Sequence, residues 1–268
     1  MKHMADLMKL REWSITKQPG EILVEYGAEP KAMYILVQGF LDVVVNDKTV
    51  TTISEPGTYI GELSYILNHT YSATVVAKET TEAIQIKSEY IDYFIKSLPA
   101  VVFELAEQMA LRVATLRKDV SKQEPQKSPK RPNEWTPQSI PEMDPQGWNQ
   151  LIRKLNQEIV TLNPGEHLAH EGHSATQFYI LKSGRIKATK AAKEVKTIYK
   201  PGECIGELPF LLNQKHVVSY QADSQTQVIQ VEKNKVIEII EQNPLFARVL
   251  LISVASRLVM LSSMVAFD

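Results

Sequence analysis

The sequence predicts a mainly β protein with flanking helices, built as two tandem jelly-roll (double-stranded β-helix) domains. Three observations carry that prediction. The chain matches itself when shifted by 145 residues, each copy breaks into short β-rich segments cut by glycine turns, and each copy ends by switching to a helical period.

The self-match runs without a gap. Pro19-Gly20-Glu21 falls on Pro164-Gly165-Glu166, Tyr34-Ile35-Leu36 on Tyr179-Ile180-Leu181, and Gly39 on Gly184. Pro56-Gly57 meets Pro201-Gly202, Ile60-Gly61-Glu62-Leu63 meets Ile205-Gly206-Glu207-Leu208, and Leu67-Asn68 meets Leu212-Asn213. Roughly one position in three is identical between 19 and 99, which marks duplication of a whole domain and not of a short solenoid unit.

In the first copy, strands are expected at 21–24, 33–36, 41–45, 50–53, 72–77 and 82–86, all rich in β-branched or aromatic residues. Gly20, Gly27, Gly39 and Gly57 fall between them, at turns. Helices are expected at 88–98 and 101–117 with Pro99 between them; Leu105, Met109, Val113 and Leu116 form an apolar stripe. The second copy ends likewise, with 233–242, Pro244, and a helix from about 245 to 264. Apolar residues cover most of that last helix's circumference. It is therefore expected to pack on the other domain or to mediate self-association with a second subunit.

The domains expected are 1–121 and 147–268, the second opening on a short lead-in helix at 148–155. Residues 122–146 hold six prolines among polar residues and read as an extended linker, with Trp135 and Ile140 as surface anchors.

Composition narrows the function. With 44% apolar and 23% charged residues the chain is an ordinary globular protein, and a net charge of -1 gives no general pull toward nucleic acid. Cys204 is the only cysteine, so neither an internal disulfide nor a cysteine-built metal site is expected; a reducing, cytoplasmic location fits. The first ten residues lack the features of a signal peptide. The apolar stretch 245–267 is interrupted by Arg248 and Arg257 and reads as a covered helix, not a membrane span. His167, His170 and His173 recur every three residues, but strand alternation is expected to point them apart, so no metal site is assigned. No nucleophile motif such as G-x-S-x-G is present, and no enzyme activity is expected.

The chemistry is expected in two segments, 61–75 and 206–220. Each opens Gly-Glu-Leu and continues apolar, as one short helical turn whose starting N–H groups suit an anion. The glutamate could accept from a sugar hydroxyl. The alternative is a tight turn with a surface carboxylate.

These blocks resemble the cyclic-nucleotide-binding domain of cAMP receptor proteins and protein kinase A regulatory subunits. The resemblance rests on Pro-Gly-Glu at 19–21 and 164–166, Tyr-Ile-Leu-x-x-Gly at 34–39 and 179–184, and Pro-Gly-x-x-x-Gly-Glu-Leu at 56–63 and 201–208. It implies a β-roll whose phosphate-binding cassette grips the cyclic phosphate while a C-terminal helix caps the base. The ligand implied is cAMP or cGMP, with no cofactor. Site residues implied are Gly61, Glu62, Leu63, Ser64, Tyr71 and Ser72 in the first copy, and Gly206, Glu207, Leu208 and His216 in the second. Glu62 and Glu207 would meet the ribose 2′-hydroxyl. The family arginine that pairs with the phosphate is absent: Tyr71 and His216 stand in its place. In the second copy Pro209 also removes the N–H that Ser64 supplies in the first, and Val217 replaces Ser72. The sequence thus predicts weak binding of a cyclic nucleotide or related small anion, better in the first copy, relayed by C-terminal helix movement. The alternative is a ligand-independent protein-protein interaction module.

Overall fold

The computed structural model describes residues 8–120, 151, 152, 155 and 157–265. The chain divides into two compact units, residues 1–105 and 106–268, and the boundary falls inside a long helix. Each unit contains a sandwich of two four-stranded antiparallel sheets with helices attached.

In the first unit the strands are β1 (Ser14–Lys17), β2 (Ile22–Val24), β3 (Ala32–Gln38), β4 (Leu41–Val45), β5 (Lys48–Ile53), β6 (Tyr59–Ile60), β7 (Thr74–Ala77) and β8 (Thr81–Lys87). One sheet runs β1-β8-β3-β6 and the other β2-β7-β4-β5. Alternation along each strand sends one set of side chains between the sheets. Ala32, Tyr34 and Leu36 of β3, Leu41 of β4, Val75 and Ala77 of β7 and Ala83 of β8 meet there. Every second residue of β3 and β8 faces outward, yet Met33, Ile35, Ile84 and Ile86 are also buried. Helix α2 (Ile91–Ser97), whose Phe94 and Ile95 are buried, packs against β8. The cassette turn, α1 (Glu62–Leu67), follows β6 directly, and the long helix α3 (Pro99–Val120) closes the copy.

The second unit repeats this order with β9 (Ile159–Leu162), β10 (His167–Ala169), β11 (Gln177–Ser183), β12 (Ile186–Lys190), β13 (Lys193–Ile198), β14 (Cys204–Ile205), α4 (Glu207–Leu211), β15 (Ser219–Ala222), β16 (Thr226–Glu232), α5 (Val236–Gln242) and α6 (Pro244–Val265). The repeat extends to irregularities of pairing. Register shifts between Ile22 and Val24 and between Leu36 and Gln38 recur between His167 and Ala169 and between Leu181 and Ser183. A bulge aims side chains as much as it bends a strand, so both copies orient their loops alike.

In helix α6, Leu250, Leu251, Val254, Ala255, Leu258 and Leu261 are buried within the chain, and Met260 is exposed. Its stretch 244–261 is long and apolar enough to cross a membrane, and 61% of that stretch is buried, as in a core helix. One expectation is corrected: the β1 and β9 strands, which pair at the edge of their sheets, are not among the expected strands. Of the lead-in helix, Leu151, Ile152 and Leu155 are helical, with Leu151 and Leu155 buried. Its other residues, the 122–146 linker, Trp135 and Ile140 lie outside the described residues.

Candidate functional site

Each cassette turn begins at a glycine that no other residue could replace without cost. Gly61 has φ +71° and Gly206 φ +77°, the left-handed region. A Cβ added at Gly61 would lie 2.7 Å from Cε1 of Tyr71, and one at Gly206 would lie 2.9 Å from Cε1 of His216. The residues standing where the family arginine is expected are therefore packed flat against the cassette backbone. Both side chains are buried against that glycine, Tyr71 in the first copy and His216 in the second.

In the first copy Tyr71 belongs to the inter-sheet core, with Leu23, Val24 and Tyr34 among its cluster. Its hydroxyl donates to the carbonyl of Ala32 at 2.6 Å. Burial, the nearby Tyr34 and other lesser causes push its phenol up to about 12. This hydroxyl is thus already used inside the fold. Glu62 and Ser64 are buried, Leu63 is half-buried, and the Ser64 hydroxyl donates to the carbonyl of Thr70 at 3.2 Å. Ser72 is exposed. Tyr59, just ahead of the cassette, donates to the carbonyl of Val101 at 3.2 Å. Its phenol is driven up by burial, then by the carboxylates of Glu104 and Glu62.

The second copy is closed differently. Glu207 is fully buried, and its Oε1 lies 2.8 Å from Nη2 of Arg257 on α6. Ser253, one turn earlier on α6, donates to the same oxygen at 3.1 Å. Burial works against the Arg257 charge, but Glu207 together with Tyr220, Cys204 and Glu203 outweighs it and holds the guanidinium above its ordinary range. Cys204 is buried beside Ser253 and Glu207; burial first, then the Glu207 charge, pushes its thiol far up. Tyr220 is raised to about 12 by burial and by Glu207. Leu208 is buried too.

His216 is buried, with its ring edge-on to Tyr220 at 6.0 Å and no hydrogen-bond partner at Nδ1. Burial, then His173, holds its imidazole below the usual histidine range. The packed ring thus favours the neutral form. Lys215 is exposed.

Sequence reasoning missed Arg257 and Ser253. Their signal was an arginine four residues after a serine on a mostly apolar helix, which reads equally as a break in a hydrophobic run. The histidine reading also changes. Only 167–169 form strand, and the following turn gathers the rings: His167 stacks on His170 at 4.5 Å, and His170 lies 5.3 Å from His173. Among the described residues no group of three or more potential ligands is placed to hold a metal ion.

The family model for the cyclic nucleotide-binding domain matches residues 15–97 and 159–243. The chain is 31% identical over 104 residues to a cGMP-dependent protein kinase of Plasmodium berghei, a match spanning 39% of this chain and 12% of that protein. It is 25% identical over 192 residues to a cAMP-dependent protein kinase regulatory subunit of Debaryomyces hansenii, spanning 72% of this chain and 37% of that one. Among solved structures, cAMP-bound PfPKA-R (141-441) aligns at 21% identity over 90% of this chain and 77% of the other, with a TM-score of 0.37. The chain thus spans well under half the length of these two curated relatives.

Proposed function

Since the chain belongs to the cyclic nucleotide-binding domain family and carries two copies of that domain, we propose that it is a non-catalytic regulatory module whose two cassettes are closed by its own side chains. The observation that carries this reading is the occupancy of both cassettes: Tyr71 fills the first, and the second holds His216 with Glu207 bound to Arg257. What the module passes to a partner is then the docking state of its helices, not a bound phosphate.

Magnitudes favour the closed form. Seating a phosphate in the first copy requires Tyr71 to leave the core, at about 1.5–3 kcal/mol for the side chain. Its hydrogen bond adds about 1 kcal/mol. The missing guanidinium forfeits charge-assisted bonds worth about 1.5–3 kcal/mol each. At about 1.4 kcal/mol per decade, these losses remove several decades of affinity.

A second reading is supported by one observation, the retention of a buried glutamate, Glu62 and Glu207, in both cassettes. On that reading the chain is a sensor of a cyclic nucleotide or related small anion, and ligand capture of Glu207 releases Arg257 and with it α6. Calorimetric titration of the whole chain with cAMP and with cGMP at pH 7.5 separates the two. The closed-module reading expects no saturable heat below about 100 μM. Saturable binding tighter than that would replace it with the sensor.

A further inference from the structure

The two cassettes are clamped by the same pair of backbone hydrogen bonds but by different chemistry. In the first copy, Gly27 N–H donates to the carbonyl of Tyr71 at 2.9 Å, and Tyr71 N–H donates to the carbonyl of Ala28 at 3.0 Å. In the second, Gly172 N–H donates to the carbonyl of His216, and His216 N–H to the carbonyl of His173, both at 2.8 Å. The plug residue of each cassette is thus stitched to the loop opposite. In the first copy that loop and its strand present Ile22, Glu25 and Ala28; in the second the same positions are His167, His170 and His173.

We propose that acidification unlocks the second cassette and leaves the first closed, because the plug there is a buried imidazole, His216, clamped by a loop that gathers three further imidazoles into one run. The rings of His167 and His170 lie 4.5 Å apart with planes at 21°, and those of His170 and His173 lie 5.3 Å apart. His216 is the buried end of the run, next to His173, and its buried Nδ1 has no hydrogen-bond partner, so a proton taken up there would be desolvated and unpaired.

Other charged groups face the run. Glu171 accepts from the backbone N–H of Ala191 at 3.1 Å, and Glu166 from that of Asn163 at 2.6 Å, both on the exposed side of the loop and not at the buried His216 ring. Lys215, beside His216, adds a further positive charge at an exposed position. On the inner side, the Glu207 carboxylate of α4 is already matched by Arg257 of α6. Tyr220 of β15, against the ring, stays protonated throughout the acid range, and Arg117 of α3 brings another cation near Glu207 and Tyr220.

The sign follows from proton counting. The closed form binds fewer protons at His216 than the open form, so closure is favoured at high pH and lost as pH falls through the ordinary histidine range near 6.5. One imidazole ionising only when open shifts the opening equilibrium about tenfold between pH 7.5 and 5.5. Tyr71, the plug of the first copy, does not ionise in that window.

The test is hydrogen exchange of the intact chain at pH 7.5 and 5.5 in the presence of EDTA, corrected for the intrinsic rate. His69→Gln is introduced so that no imidazole lies beside Tyr71. Protection in peptides covering 171–175 and 213–217 should fall at least about tenfold, while that covering 25–28 and 69–72 holds within about twofold. His216→Phe, which keeps an aromatic plug, should remove most of the pH dependence, and His173→Gln, which takes away the imidazole next to His216, should lessen it. An equal fall in both copies would overturn the proposal. So would an undiminished fall in the His173→Gln protein, which remains a test even if His216→Phe does not fold.

Discussion

Arg257 Nη2 sits 2.8 Å from Oε1 of Glu207, so the carboxylate that the sequence offers to a ligand is held by the last helix of its own domain. The two residues are fifty positions apart, and Ser253 shares the same oxygen. Removing one partner of a buried pair strands the other charge. Arg257→Met should therefore cost about 3 kcal/mol, read as a lower denaturant midpoint for the second unit. Adding Glu207→Gln in that background should recover most of the loss. A coupling energy near zero in the double-mutant cycle would show that the pair contributes nothing to closure.

Tyr71 gives a prediction that differs from the one its alignment with the family arginine invites. Because its ring lies in the core and its hydroxyl bonds to Ala32, Tyr71→Arg should bury a charge, not restore a phosphate site. The expected result is a loss of stability of at least about 3 kcal/mol with no gain in cAMP affinity. Tyr71→Phe, which removes only the hydroxyl, should cost about 1–2 kcal/mol. Tight cAMP binding by a stable Tyr71→Arg protein would mean the ring swings out readily.

The cassette glycine Gly61 should be less replaceable than a left-handed glycine that faces open space. Gly20 has φ +84° with nothing within 4 Å of an added Cβ, whereas at Gly61 the Tyr71 ring stands 2.7 Å away. Gly20→Ala should pay only the left-handed penalty, about 1–2 kcal/mol. Gly61→Ala should cost at least about 1 kcal/mol more, since a packed ring has to shift. Equal melting temperatures for the two variants would contradict this packing.

The hairpin tip between β12 and β13 should be improvable. Ala191 and Ala192 adopt φ +46° and +62°, where the first copy places Asn46 and Asp47 at +50° and +60°. Two left-handed central residues favour Asn-Gly, and alanine is strained there. Ala191→Asn with Ala192→Gly should raise the stability of the second unit by about 1–2 kcal/mol, measured by chemical denaturation.

Much of this protein was legible in the chain alone. The duplication, the turns at Gly39 and Gly184, the helical endings after Pro99 and Pro244, and the cassettes at Gly61 and Gly206 are local signals: glycine where φ turns positive, proline where a helix starts, alternation where a strand is half-buried. The flanking strands Ser14–Lys17 and Ile159–Leu162 and the two-residue strands at 59–60 and 204–205 escaped, because so short a segment becomes a strand only through the neighbour it pairs with. The sequence also determined which residue types replaced the family arginine. Only the tertiary structure decided where they point. The core had room for the ring of Tyr71 and a carbonyl at Ala32 to receive its hydroxyl. A helix fifty residues downstream delivered a guanidinium to Glu207, and one turn after β10 gathered histidines that strand alternation would have scattered. Such choices are set by which surfaces meet once the sheets close, since a buried polar group takes whatever partner the packing brings within reach.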